Sequence, residues 1–266
     1  MAIAQRAKAV KVHQEIPIRK ITLSDLRTAL SQGWEDFMDK RGDLIFLGII
    51  YPIAVLFASL YALKLSLLPI IFPLFAGTAL LGPIFATGYY EIARRRECDL
   101  DSRWRHVFDA LKGPSAFSIV CLAAILFLLF AVWVIVAYTI YRGTMGTLNP
   151  DTVTNATEFV GAAFGTPEGQ RMMVVGNLVG LGFAMVALAI SVVSFPMLVD
   201  KPVSWATALR TSVRVAWHNP VTTIVWGFLV AALLIAGALP ALIGLAVVFP
   251  VLAYATWHLY TRAVER

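Results

Sequence analysis

GPIFATGYYEIARRRE, residues 82–97, runs from an apolar segment carrying glycine and proline into one acid and three consecutive arginines. PVLAYATWHLYTRAVE, residues 250–265, follows a similar course at the end of the chain. With Pro83 set against Pro250, Glu91 falls opposite His258 and Tyr90 opposite Trp257. Aromatic residues followed by Arg mark where a helix passes from hydrocarbon through the headgroup layer into the cytoplasm. Both stretches therefore read as membrane helices leaving the bilayer on one side.

The composition agrees. Of 266 residues, 59% are hydrophobic and 14% charged, where soluble domains carry about 25% charged residues. Mean hydropathy is +0.77. Separate apolar runs reach the roughly 20 residues that cross a bilayer, and six spans are expected, at about 44–63, 67–93, 115–141, 172–199, 221–239 and 241–260. The expected fold is all-α: a polytopic membrane protein of six transmembrane helices. Each pair of spans follows an amphipathic segment bearing Trp, at about 23–41, 104–112 and 205–217. The plan is thus three units, each an interfacial elbow helix followed by a hairpin. Residues 1–20 read as a flexible basic tail and 21–266 as a single membrane domain. Thr22 with Asp25 has the spacing of a capping box, and Thr166-Pro167-Glu168 has the cap, proline and acid of a helix start.

Net charge is +6 and the isoelectric point about 9.5. That balance does not indicate nucleic-acid binding, because the basic residues lie between spans. Of 22 Lys and Arg, nineteen fall on one side of the expected topology, and only Lys64, Arg142 and Arg171 on the other. The positive-inside rule then places both termini of a multi-pass membrane protein in the cytoplasm. The two cysteines, Cys98 and Cys121, form no paired motif, so neither a disulfide framework nor a zinc site is expected. The first twenty residues lack the apolar core of a signal peptide.

ITLSDLRTALSQGWEDF (21–37), FPLFAGTALLGPIFATGYYEIARRRE (72–97) and SRWRHVFDAL (102–111) resemble a bacterial family of predicted integral membrane proteins (domain of unknown function number 2189). The resemblance implies a six-helix inner-membrane protein with no assigned reaction or cofactor. Some members carry the label of a cytochrome c oxidase subunit. A haem–copper catalytic subunit needs about six intramembrane histidines, and of His13, His106, His218 and His258 only the last falls in an expected span. An accessory subunit of a respiratory complex remains compatible.

Ionisable and polar groups inside spans are the natural candidates for function, since burying them costs several kcal/mol. Glu91 precedes Arg94 and Arg95 at i+3 and i+4, a spacing that pairs them. His258 lies at the matching depth of the last span, where the two could form a pH-sensitive pair across a cytoplasmic vestibule. Asn177, near the outer end of the fourth span, reads first as a helix–helix hydrogen bond. No catalytic residue, metal ligand or cofactor-binding residue is assigned. The sequence holds no GxxxxGK[ST], GxSxG or HExxH, and the connection at 142–171 is too short for a catalytic domain. The expected function is a non-enzymatic accessory, assembly or scaffold component of an inner-membrane complex, with the lipid bilayer and other membrane subunits as partners. The alternative is a transporter or channel for a small or amphiphilic molecule, and an enzyme acting on lipid is the weakest reading.

Overall fold

The computed structural model describes residues 16–39, 53, 56–57, 68–148, 156–240 and 242–266. The expected first span, 44–63, and most of the basic tail lie outside the described residues. Helix α1 covers 23–39. It is followed by α2 (Leu68–Thr78) and α3 (Gly82–Glu97). Next come α4 (Ala116–Arg142), α5 (Ala156–Gly165), α6 (Pro167–Ser191) and α7 (Ser194–Asp200). The last three are α8 (Trp205–His218), α9 (Pro220–Ala238) and α10 (Leu245–Ala263). Among the described residues the only extended pairing is a single antiparallel bridge between Ile18 and Val264.

Local chemistry explains the boundaries. At α1 the Thr22 amide donates to the Asp25 carboxylate at 2.8 Å, and the Asp25 amide returns a bond to the Thr22 hydroxyl at 3.3 Å. Thr166 caps α6 by accepting from the Gly169 amide at 3.0 Å, and Ser204 caps α8 by accepting from the Thr207 amide at 3.2 Å. Thr22→Ala removes half of the first box. The expected loss is about 1 kcal/mol, visible as several-fold faster hydrogen exchange at residues 23–26, with exchange in α9 unchanged.

Among the described residues, four helices are long and apolar enough to cross a membrane: Phe72–Glu97, Ala116–Arg142, Pro167–Asp200 and Pro220–Ala238. Helix α10, where a sixth span is expected, is not among them. It has a different environment, because twelve of its 19 residues are buried. A helix wrapped by protein can carry Tyr, Thr, Trp and His at positions that a lipid-facing helix must fill with Leu and Val. The halves α3, α7 and α10 pack on one another at the centre, and α4 and α9 lie outside them.

The central helices are broken, each for its own reason. Pro83 has no N–H to donate, so the chain turns through a 3-10 segment at Ala79–Leu81 before α3 begins. Between α6 and α7 the interruption comes from elsewhere in the chain. The Ser212 hydroxyl, fully buried on α8, accepts from the Val193 amide at 3.2 Å and donates to the Ala189 carbonyl at 2.8 Å. A side chain inserted in the ladder bends a helix in this way, and the expected continuous span at 172–199 becomes two helices.

The elbows follow one rule. On α1, Leu26, Ala29, Gly33 and Phe37 face the protein, and Leu23, Trp34 and Met38 are exposed. On α8, Ala208, Thr211, Ser212 and Val215 are buried, and Trp205, Val213 and Trp217 are exposed. The middle segment, read as an α-helix at 104–112, instead forms two 3-10 turns, Trp104–His106 and Asp109–Leu111. It still buries Val107 and Ala110 while exposing Trp104, Phe108 and Leu111. Its ten residues between Asp101 and Lys112 carry three charges, Arg103, Arg105 and Asp109, and Asp109 takes hydrogen bonds from His106 and from Lys112 just beyond, which compete with an α-helical ladder.

Candidate functional site

The polar segments of the chain converge at one end of the bundle. Three carboxylates organise it. Glu91, only 3% exposed, receives Arg94 Nε at 2.9 Å and Arg94 Nη2 at 2.7 Å, with Arg95 Nε at 2.8 Å. The helical spacing read from the sequence produces this fork directly, since side chains at i, i+3 and i+4 share a face. Arg95 continues to Asp109 through Nη2 at 2.9 Å and to the Asp101 carbonyl through Nη1 at 3.1 Å.

Asp36 is the second node. It accepts from Arg96 Nη1 at 2.6 Å and from His258 Nε2 at 2.8 Å, and Arg96 also donates to Asp39. One carboxylate of α1 thus joins α3 to α10. Arg262 reinforces the joint by donating to Gln32 at 2.7 Å. Asp200 is the third node. It is gripped by Arg266 through Nε at 3.0 Å and Nη2 at 2.9 Å, and by the Tyr260 hydroxyl at 2.7 Å. Arg266 also donates to Glu97 at 2.5 Å and stacks its guanidinium over Trp257, 5.3 Å from the ring centre.

Glu91 and His258, set opposite one another by the sequence repeat, are therefore brought to the same end but not to each other. Glu91 is held by its own helix, and His258 by α1. They connect only through the neighbouring arginines, Arg94 and Arg95 on one and Arg96 with Asp36 on the other. Asn177 is elsewhere. Its side-chain amide donates to the Met173 carbonyl at 2.7 Å within α6, not to another helix, and the residue lines an apolar cavity of about 600 Å³. Sequence reading missed Asp36, Asp200 and Arg266, whose partners lie 60 or more residues away. No local spacing encodes such contacts.

The chemistry available here is binding and stapling. Among the described residues no group of three or more His, Cys, Asp or Glu is placed to hold a metal ion. The exposed loop titrates in a defined direction. Hydrogen bonds from His106 and then Lys112 hold the Asp109 carboxyl down at about 2. A depressed folded-state pKa gives stability that is present above the unfolded value, and that stability is lost as pH falls through the folded one. The loop at 100–112 should keep its protection above about pH 4 and lose it toward pH 2. Hydrogen exchange at 110–112, corrected for intrinsic rates, checks this, and Asp109→Asn should leave those amides unprotected at every pH in that window.

No curated protein and no solved structure matches the chain. Residues 71–200, which hold α3 with Glu91 and its arginines, α4, α6 and α7, match the family model described as predicted integral membrane protein (DUF2189), and over that stretch the chain is similar to this family of integral membrane proteins.

Proposed function

We propose that the protein is a six-span component of the bacterial inner membrane, with both termini in the cytoplasm, that acts without enzymatic chemistry as an accessory, assembly or scaffold subunit of a larger membrane complex. One observation carries the reading: the titratable groups inside the helices are already partnered within the chain, Glu91 by Arg94 and Arg95 and His258 by Asp36. A protein that couples transport to ions or protons keeps such groups available to its cargo. Here His258 joins α10 to α1, and Glu91 is held within α3.

The topology has its own support. Nineteen of 22 Lys and Arg fall on one side of the expected topology. The Arg19 amide donates to the Ala263 carbonyl at 2.8 Å, which puts the two ends of the described chain side by side. The outward Trp34, Trp104 and Trp217 suit a headgroup layer at that end. In this reading α10 is the sixth span.

The test is purification from native membranes in a mild detergent, followed by mass measurement of the intact assembly. A fixed-stoichiometry complex of the 29.1 kDa chain with other membrane subunits is expected. A lone chain that carries an amphiphile across proteoliposome membranes would overturn the reading. That outcome would establish the second one, a transporter or channel for a small or amphiphilic molecule, which two adjoining apolar cavities favour.

A further inference from the structure

The apolar cavity beside Asn177 lies between α2, α4, α5 and α6, at the end of the bundle away from the ion pairs, with a volume of about 600 Å³. Gly176 faces open space, Gly77 and Gly180 let the Trp133 ring approach closely, and Trp133, Phe159 and Phe183 wall the cavity. Trp133 is fixed in place by its indole N–H, which donates to the Pro73 carbonyl at 2.8 Å, and by its ring contact with Phe183, 5.5 Å between centres. Phe72, Val160 and Phe164 stand at the rim and are more than half exposed, so the cavity opens sideways, out of the bundle. Leu80, Leu181, Ala184 and Ala231 also belong to a second apolar cavity of about 240 Å³, bounded by α3, α6, α9 and α10. The two form a bent apolar path from the bundle flank to its centre.

We infer that this path is a binding site for one acyl chain of a single phospholipid. Water does not fill such a space, because a buried water needs two to four polar partners and the walls are almost wholly apolar. Left unfilled, the lining side chains lose their dispersion contacts on one side. In an integral membrane protein a cavity with a lateral mouth opens onto acyl chains, and a flexible chain can follow a bend that a rigid ring system cannot. Asn177 supplies the polar end of the site. Its amide has two hydrogens; one is bonded to the Met173 carbonyl at 2.7 Å, and the other suits an ester carbonyl. Asn177 lies six residues beyond Arg171, roughly 9 Å along the helix, near the depth where a lipid's ester groups give way to its tails. The site does not depend on the proposed accessory role, since scaffold and transporter alike can hold a resident lipid.

Gly176 makes the site testable. A Cβ built there meets nothing within 4 Å, so Gly176→Phe fills the cavity without moving backbone. The protein, purified in a mild detergent, is analysed by native mass spectrometry at activation that strips surface lipid. Wild type should retain one phospholipid per chain, Gly176→Phe should lower that occupancy at least fivefold, and Asn177→Leu should lower it severalfold. In nanodiscs holding a phospholipid with a diazirine in its acyl chain, photo-adducts should concentrate on 159–184 and be lost in Gly176→Phe, with adducts at outward-facing Ile235 unchanged. Gly176→Leu, with a smaller plug, serves if the Phe variant elutes as aggregate. Equal occupancy in wild type and the plugged variants, adducts spread evenly over the outward helices, or an isoprenoid as the retained molecule would each overturn the assignment.

Discussion

Replacing Glu91 with alanine is expected to lower the thermal midpoint of the purified protein by roughly 6–12 °C. The carboxylate is the shared acceptor of two guanidinium groups, and its side chain is 4% exposed. Its removal leaves Arg94 and Arg95 partly buried without a counter-charge on their own helix. Breaking a buried ion pair costs about 3–5 kcal/mol. The lower end applies here because Arg94 and Arg95 retain 27% and 18% of their side-chain exposure and Arg95 keeps Asp109. Glu91→Gln preserves shape and one acceptor oxygen, so about half the shift should remain. Differential scanning fluorimetry in detergent reads both. A midpoint for the alanine variant within about 2 °C of wild type would mean that the fork contributes nothing beyond what solvent supplies.

Gly33→Ala should unseat the first elbow. A Cβ there would lie 2.6 Å from the Ala255 nitrogen, 2.7 Å from the Val251 oxygen and 2.9 Å from the Ala255 Cα. All three are backbone atoms of α10 and cannot rotate away. The substitution gains about 1 kcal/mol in helix propensity, and overpacking of this kind costs about 1–3 kcal/mol or more. The clash wins because rigid backbone stands on both sides. As α1 backs away, Asp36 leaves His258 and Arg96 together, so one methyl group also removes an ion-pair node. Trypsin cleavage at Arg27 should quicken by about tenfold or more, in proportion to the open population. Unchanged cleavage would show that α1 docks without the close approach.

Part of this architecture is written locally and part is not. The membrane-crossing helices are legible because hydrocarbon demands about 20 apolar residues in a row, and the Glu91 fork because i+3 and i+4 neighbours meet on any helix. The elbows were legible as amphipathic, but their aromatic stripes mark the outward face; what binds the protein is the small-residue face, such as Ala29–Gly33 and Ala208–Ser212. Aromatic periodicity is a stronger signal in sequence than close backbone approach. Helix α10, read from sequence as a span, is not among the four candidate spans, because protein surrounds it and its apolar content is diluted. The break between α6 and α7 could not be read from its own residues, because the hydroxyl that makes it belongs to Ser212 of α8. The Asp36 and Asp200 nodes are illegible for the same reason: their geometry exists only after distant segments have met.

The bridge between Ile18 and Val264 bears on how the protein is made. The Glu265 amide donates to the Pro17 carbonyl at 3.1 Å, and the Ile21 amide is held by the Asn219 side chain at 2.7 Å. Helix α1 finds its seat on α10, with Gly33 against Ala255. During synthesis α1 must wait, with Asp36 unpaired, until nearly the whole chain has been translated. Pairing of the most distant segments is the slow step wherever loop closure must precede contact. A truncation that removes only Val264 to Arg266 would free the segment at Pro17–Arg19 that pairs with it and expose that segment to quality-control proteases.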